Sequence, residues 1–267
     1  MPHLRDRRRV VRAILAAILA AILATVVGVA GARPAAAQAV HRLTSPPAFT
    51  LDQWTTADGL PQNSVNAVAQ TADGYVWVGT FGGLARFDGL RFDLIERIDR
   101  AGRHVDRVLS LAVAPDGALW VGTENGLLCY RAGRLAPVAE AAALPHHEIT
   151  ALYVDRAGVL WVGTANGGVV RYDGRRFAEV RQADGAPFDA VVSFHEDRSG
   201  TVWVNTRLGV RTLGAHVPNA ARVPEVTSHA FPWMLLEDRD GAFWFRRTSG
   251  VGRVRGTTRG TAVDLFD

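Results

Sequence analysis

The sequence predicts an all-β protein, a β-propeller of about five four-stranded antiparallel blades, preceded by a helical signal peptide. The main observation is a tryptophan that recurs every 41 to 43 residues within one repeated phrase, whose first three copies end in Trp-Val-Gly-Thr. A period in the low forties with strand-like content is typical of propellers, in which each repeat forms one blade. The five tryptophans are Trp77, Trp120, Trp161, Trp203 and Trp244.

Two glycines at fixed offsets predict the turns inside each blade. The glycine three positions before the tryptophan is Gly74, Gly117, Gly158, Gly200 or Gly241. The glycine six positions after it is Gly83, Gly126, Gly167, Gly209 or Gly250. A glycine that recurs at one offset is typical of a positive φ, and Asp-Gly is a strong hairpin signal. The first glycine therefore turns strand a into strand b, and the second turns strand b into strand c.

The first repeat also predicts where its strands lie. They are strand a over 65–70, strand b over 75–80, strand c over 84–87 and strand d over 91–95. In strand b, Val76 and Val78 face one side of the sheet and Trp77 faces the other. Both faces are apolar, so each sheet is expected to pack between two neighbours, with the tryptophans in the core between blades. The fifth repeat departs from the pattern and is the degenerate one.

Residues 1–39 have the pattern of an export signal. A basic start is followed by an apolar run from about residue 13 to 32 and then by small residues. We expect cleavage after Ala39, although an apolar run of ~18–20 residues is also long enough for an uncleaved anchor. In either case the repeats, over 65–267, are expected outside the inner membrane, in the periplasm. Residues 40–64 would form an N-terminal extension.

The excess of positive charge lies in this leader. The chain has 30 basic and 26 acidic residues, and the leader holds six arginines against one aspartate, which leaves 24 and 25 for the rest. A neutral body removes the electrostatic basis for nucleic-acid binding. The chain has one cysteine, Cys129, so it forms no intrachain disulfide, and the apolar strand around it predicts a packing thiol.

The residues around the first repeat carry a family resemblance. Residues 49–65 read Phe-Thr-Leu-Asp-Gln-Trp-Thr-Thr-Ala-Asp-Gly-Leu-Pro-Gln-Asn-Ser-Val, and Trp-Val-Gly-Thr, Gly-Gly-Leu and Arg-Phe-Asp-Gly follow. With these motifs, residues 43–267 resemble the two-component regulator propeller family, the periplasmic sensor regions of membrane-bound histidine kinases and diguanylate cyclases. The resemblance implies a module that senses a small-molecule or glycan ligand and signals to a kinase or cyclase output partner. Any kinase or cyclase activity would lie in a missing C-terminal region.

The spacing of two phenylalanines predicts an incomplete propeller. Phe49 precedes Trp77 by 28 residues, as Phe92 precedes Trp120, so residues 49–54 occupy the place of a fourth strand without a blade upstream. The fifth repeat already has a candidate fourth strand over 261–266. We therefore expect a truncated product or a fragment, with residues 49–54 docked on the last blade or loose. Open apolar blade faces would promote self-association.

The loops between strand d and the next strand a hold the candidate ligand-binding residues. Residues fourteen and thirteen positions before each tryptophan vary between repeats, whereas the glycines do not, and variable loops on a repeated frame commonly carry binding. The candidates are Asn63, Asp106, Arg107, His147, Glu148 and Asp189.

No other pattern predicts chemistry. His146 and His147 point in opposite directions on an extended chain, so we predict no metal site there. No nucleophile elbow or phosphate-binding loop is present, and we predict no catalytic residue and no cofactor. The acidic pairs at 196–197 and 237–238 precede the a–b turns and are expected to be solvated.

Three classes of function remain open at this stage. The first is an extracytoplasmic, non-enzymatic sensor or ligand-binding propeller. The second is a propeller lyase or hydrolase acting on a carbohydrate or a lactone, which would need convergent charged groups at the loop face. The third is a passive interaction scaffold or the remnant of a broken sensor gene. A kinase or cyclase reading frame immediately downstream would favour the first class over the third.

The leader yields a direct prediction. The exported chain is expected to start near Val40, because Ala37-Gln38-Ala39 is a small-x-small cleavage signal. N-terminal sequencing of the product from the periplasmic fraction tests this. Recovery of Met1 in the membrane fraction would instead establish an anchor.

Overall fold

The computed structural model describes residues 51–95, 107–144, 146–182, 184–213, 236–246, 251–257 and 260–266. In these residues the strands form five antiparallel sheets, each built from strands consecutive in the sequence. The first sheet is β1 Val65–Gln70, β2 Val76–Thr80, β3 Gly83–Phe87 and β4 Phe92–Ile95. The second is β5 Val108–Val113, β6 Leu119–Thr123, β7 Gly126–Arg131 and β8 Arg134–Pro137. The third is β9 Ile149–Val154, β10 Leu160–Thr164, β11 Val169–Tyr172 and β12 Phe177–Val180.

The last two sheets continue the same order. The fourth is β13 Val191–Glu196, β14 Val202–Thr206 and β15 Gly209–Leu213. The fifth is β16 Leu236–Glu237, β17 Phe243–Arg246, β18 Val251–Thr257 and β19 Gly260–Phe266. Two short 3-10 helices, Thr56–Asp58 and Ala139–Ala143, lie in connections. No helical segment within the described ranges is long and apolar enough to cross a membrane.

The predicted fold class is confirmed, and the strands of the first sheet begin and end within one residue of the predicted positions. All five glycines before the tryptophans have positive φ, between 77° and 93°. The two faces of strand b separate as expected: Val76 and Val78 pack in one cluster with the N-terminal segment, and Trp77 packs in another with the second sheet.

The tryptophans fill the contacts between consecutive sheets. The first four are only 2–8% exposed, and Trp244 is half-buried. Trp77 contacts Tyr130 of the second sheet with ring centroids 4.6 Å apart, and Trp203 contacts Phe243 of the fifth sheet at 5.2 Å. Burying one such indole removes about 150–250 Å² from water, which stabilises the fold by up to about 4–6 kcal/mol.

The glycine in Trp-Val-Gly-Thr lets neighbouring sheets approach closely. A Cβ on Gly79 would lie 2.5 Å from Val108 of the next sheet, and one on Gly163 would lie 2.3 Å from Val191. A β-branched side chain from strand a of the next sheet therefore sits directly on the glycine backbone. Side chains on strand a add hydrogen bonds across the same contact, for example Thr150 Oγ1 to the Val191 carbonyl at 2.7 Å.

The prediction that the acids before the a–b turns are solvated is wrong for Glu196 and Asp197, each 8% exposed, whereas Glu237 and Asp238 are half-buried. Asp197 Oδ1 accepts hydrogen bonds from the backbone N–H groups of Ser199 and Thr201, and its Oδ2 accepts one from Trp203 Nε1 at 2.8 Å. The same indole bond recurs from Trp161 to Asp155 at 2.8 Å and from Trp244 to Asp238 at 2.7 Å. The aspartate therefore fixes both the turn and the tryptophan of its own sheet.

The glutamates of these pairs connect neighbouring sheets. Glu196 Oε2 accepts a hydrogen bond from the backbone N–H of Arg156 in the preceding sheet, at 2.9 Å. Glu237 Oε2 accepts the equivalent bond from Arg198, also at 2.9 Å. The sequence pattern Glu-Asp-Arg thus marks a structural connection, because each carboxylate replaces its lost hydration with backbone donors.

The N-terminal segment covers the face of the first sheet that faces away from the second sheet. Trp54 meets Phe87 edge-on with centroids 5.1 Å apart, and Leu60 is buried with Val76 and Val78. Residues 51–55, at the end of the predicted blade-closing strand, form no strand. Residues 40–50, including Phe49, lie outside the described residues.

Cys129 is half-buried and packs against the core between the second and third sheets. Burial raises the pKa of its thiol. Because the thiolate is the reactive form, this environment fits the predicted packing role.

We expect Trp120→Ala to lower the free energy of unfolding by about 3–5 kcal/mol, because it opens a cavity between the second and third sheets. His147→Ala, at an exposed position, should change it by less than about 0.5 kcal/mol. Urea denaturation of both variants measures this. Equal shifts of the two midpoints would contradict the assignment of Trp120 to the core.

The buried turn acid makes stability depend on pH. Burial by itself would raise the pKa of Asp197, but hydrogen bonds from Ser199, Trp203 and Thr201 outweigh it, and the pKa is lowered. A lowered folded-state pKa contributes stability that is present above the unfolded pKa of about 3.9 and is lost as the pH falls through the folded value. Between pH 5 and pH 2, the wild type should therefore lose more unfolding free energy than Asp197→Asn.

Asp52→Asn, at an exposed position, is the control for this measurement. Its pH profile should follow the wild type. If the Asp197→Asn profile also follows the wild type, the turn acid does not contribute in the way described.

Candidate functional site

The b–c turns and the d–a loops lie side by side and form one surface, here called the loop surface. Among the described residues of the first four repeats, it consists of those thirteen and fourteen positions before the tryptophan and those four and five positions after it. In the second sheet the Glu124 N–H donates to the Arg107 carbonyl at 3.3 Å, and in the third the Ala165 N–H donates to the Glu148 carbonyl at 3.1 Å. In the fourth, the Arg207 N–H donates to the Ala190 carbonyl at 3.0 Å.

The threonine of the repeated phrase holds the b–c turn in place in the first four sheets. Thr80 Oγ1 donates to the Gly83 carbonyl at 3.1 Å and accepts from the Gly82 N–H at 3.0 Å. Equivalent hydroxyl bonds to a glycine carbonyl are made by Thr123, Thr164 and Thr206. The residue after the threonine is then free to vary without altering the turn.

Arg107 is the most constrained of the sequence-predicted candidates. Its guanidinium lies 4.6 Å from the ring centroid of Phe81 in the first sheet, and its Nε is 3.0 Å from a carboxylate oxygen of Glu124 in the second. Its φ is 61°, in the left-handed region that costs a non-glycine residue roughly 1–2 kcal/mol. Backbone strain of this kind is often retained at functional sites.

The other candidates differ in how much of their bonding capacity is used. Asn63 is exposed, and its Oδ1 accepts a hydrogen bond from the Thr56 N–H at 2.9 Å, so its carbonyl holds the N-terminal segment in place. His147 is exposed, whereas Glu148 and Asp189 are half-buried. Asp106 lies outside the described residues.

Sequence reasoning missed the side chains of the b–c turns. Phe81 is 37% exposed and Leu208 is 75% exposed, which places two large apolar groups on a surface otherwise formed by charged, polar and small residues. Glu124 and Arg207 add a carboxylate and a guanidinium. The signal was present in the sequence, because the positions four and five after the tryptophan vary between repeats, whereas the threonine before them is the same in the first four.

The loop surface offers noncovalent recognition groups. It combines exposed arginine and histidine groups and half-buried carboxylates with apolar side chains, a mixture that binds polar ligands with an apolar face. Within the described ranges, no three His, Cys, Asp or Glu side chains are grouped closely enough to hold a metal ion.

Comparison with known structures places this fold among propellers. The extracellular domain of a putative hybrid two-component system from B. thetaiotaomicron superposes with a TM-score of 0.63 at 19% identity, covering 77% of this chain and 29% of that chain. A second such domain from the same bacterium gives 0.53 at 20% identity, covering 82% and 31%. A catalytically inactive virginiamycin B lyase from Staphylococcus aureus with quinupristin gives 0.56 at 14% identity, covering 76% and 70%. At these identities the likeness shows the fold.

These comparisons define the class of protein as a β-propeller. Residues 59–82 and 143–166 match the family model described as "Two component regulator propeller". The chain therefore carries two-component regulator propeller repeats, and the resemblance drawn from the sequence is confirmed. The chain spans about 30% of the length of the two hybrid-system domains. No curated protein matches the chain.

The strained backbone of Arg107 yields a stability prediction. Arg107→Gly should relieve the left-handed strain and make the chain about 0.5–1 kcal/mol more stable than Arg107→Ala, although both variants lose the same ion pair. Thermal unfolding of the two variants measures the difference. An alanine variant as stable as the glycine variant would mean that the backbone at this position carries no strain.

Proposed function

We propose that this chain is the input part of an extracytoplasmic bacterial sensor and binds a small-molecule or glycan ligand on its loop surface. The two matched family repeats and the extracellular propeller domains of hybrid two-component systems support a sensor-type module. On this proposal the chain itself is not an enzyme. It would transmit ligand binding to a membrane-bound kinase or cyclase partner.

The observation that supports the proposal most strongly is that, within each repeat, the positions that hold the fold and the positions on the loop surface are different. The tryptophan and the two turn glycines recur in all five repeats, the threonine in the first four, and the glycine between them in the first three. Positions on the loop surface change, and they present Arg107, His147, Asp189, Phe81 and Arg207 on one frame. Variable side chains on a fixed repeated frame support recognition of a ligand, because changing them does not alter the fold.

The extracytoplasmic location is part of the proposal. It is supported by the extracellular neighbours and by the export pattern of residues 1–39. The likeness to the lyase supports only a common fold. The described loop surface provides no arrangement of acid, base and nucleophile that would favour an enzyme over a binding module.

The test is a binding screen of the exported chain against small glycans and metabolites, followed by calorimetric titration of any hit. Arg107→Ala should weaken the affinity for the hit at least tenfold, because its guanidinium contacts Phe81 and Glu124, in the b–c turns of the first two sheets. The matched control is Arg131→Ala. Arg131 is also a partly exposed arginine paired with a carboxylate, that of Asp116 at 2.7 Å, but it ends strand β7 beside the a–b turn, at the edge of the sheet opposite the loop surface.

The two arginine variants separate loop-surface recognition from nonspecific charge effects. The control should bind the hit within about twofold of the wild type. Equal losses in both variants, or binding unchanged by substitutions at 107, 147 and 189, would contradict the proposed surface.

A further inference from the structure

Two of the b–c turns on the loop surface contain the dipeptide Asn-Gly, Asn125-Gly126 in the second sheet and Asn166-Gly167 in the third. The dipeptide occurs nowhere else in the chain. Both asparagines are exposed, and neither side-chain amide hydrogen-bonds to another described residue. Because glycine has no Cβ to shield its backbone nitrogen, an asparagine that precedes glycine is especially prone to lose its side-chain amide spontaneously.

This deamidation needs only water as a co-reactant. The backbone nitrogen of the glycine attacks Cγ of the asparagine, a C–N bond forms, and the side-chain nitrogen leaves as ammonia with the proton that the backbone nitrogen gives up. Water then opens the resulting succinimide ring at either carbonyl and yields aspartate or isoaspartate. The turn has to rearrange to bring the backbone nitrogen onto Cγ, so the freedom of the glycine decides the rate in the folded protein.

Gly126 has this freedom. It is half-buried, and a Cβ built on it would have no neighbour within 4 Å. The bonds that hold the turn are local, because the Asn125 N–H donates to Thr123 Oγ1 at 3.1 Å and this hydroxyl donates to the Gly126 carbonyl at 2.8 Å. The bond to the neighbouring loop is made by Glu124, one residue before the asparagine.

Gly167 is packed against the loop that leads to the fourth sheet. It is buried, and a Cβ built on it would lie 2.7 Å from the carbonyl oxygen of Phe188. Its N–H, the nucleophile of the reaction, donates to the Thr164 carbonyl at 3.4 Å, and the N–H of Gly168 donates to the Phe188 carbonyl at 2.9 Å. Rearrangement of this turn would break contacts with the next sheet and is therefore opposed.

We propose that Asn125 is a site of spontaneous deamidation in the folded protein, whereas Asn166, in the same dipeptide, is protected by the packing of its glycine. The two turns share the preceding threonine and the following glycine, so the main difference between them is what covers that glycine. The inference concerns the chemistry of one turn and does not depend on the proposed sensor function.

Deamidation at this position changes the part of the loop surface that holds Arg107. The new carboxylate lies next to Glu124, whose own carboxylate is 3.0 Å from Arg107 Nε. The isoaspartate product also lengthens the backbone between residues 125 and 126 by one methylene group, so the Thr123 hydroxyl cannot keep both of its bonds to the turn. The modified chain therefore carries an additional negative charge and a different turn at this position.

Peptide mapping by mass spectrometry tests the proposal on the full chain, incubated at mildly alkaline pH both folded and in urea. Cleavage after arginine places the two sites on separate peptides, 108–131 and 157–171, and the mass increase from amide to acid marks the reaction. In urea both asparagines should react at similar rates, because each precedes glycine. In the folded chain Asn125 should react at least tenfold faster than Asn166.

Asn125→Gln is the matched control, since a glutamine has to close a six-membered ring and reacts much more slowly. It should abolish the mass increase in peptide 108–131 and leave peptide 157–171 unchanged. Equal rates at the two sites in the folded chain, or a faster reaction at Asn166, would overturn the proposal. A folded chain in which neither asparagine reacts, although both react in urea, would overturn it as well.

Discussion

The packing of one sheet on the next through a buried tryptophan and a bare glycine backbone is the interaction on which the rest of this structure depends. The glycine removes a Cβ so that a β-branched side chain of the following sheet contacts the backbone directly, as Val108 does on Gly79. The tryptophan beside it covers the same contact, and its indole N–H is held by a turn residue, Thr71 in the first sheet at 3.0 Å. Without this contact each sheet would expose two apolar faces, and a single such sheet is not stable alone.

The fold could be predicted from the sequence because the residues that form the contact between sheets recur at fixed, short spacings. The fixed spacing of the glycines predicted the turns, and the alternation of side chains around Trp77 predicted the two faces of the sheet. The strands of the first sheet therefore follow from about twenty residues. The acids at 196 and 197 were misread, because a carboxylate before a turn looks the same in sequence whether water or a neighbouring sheet satisfies it. Only the three-dimensional position of Arg156 shows that the partner is a backbone N–H of the preceding sheet.

The candidate surface was predictable in part. Arg107 and His147 were selected because the residues at their positions differ between repeats, whereas the tryptophan and the turn glycines recur. Phe81 and Leu208 were missed because they belong to a different loop, and nothing local in the sequence states that the two loops are hydrogen-bonded to each other. The left-handed backbone of Arg107 is likewise invisible in sequence, since glycine is the residue that normally indicates it. Ligand identity depends on side-chain positions that no repeat pattern encodes.

On the proposed function, ligand recognition and stability occupy different positions of the same repeat, and native-state hydrogen exchange tests this separation most directly. Amides of strands β2, β6, β10 and β14 should exchange slowly and with similar free energies of opening, because both faces of each strand are covered, in β2 by the N-terminal segment and the second sheet and in the others by neighbouring sheets. Amides on the loop surface that no hydrogen bond protects, such as that of His147, should exchange much faster. Strong protection of these amides, with rapid and unequal exchange in the four central strands, would contradict the account.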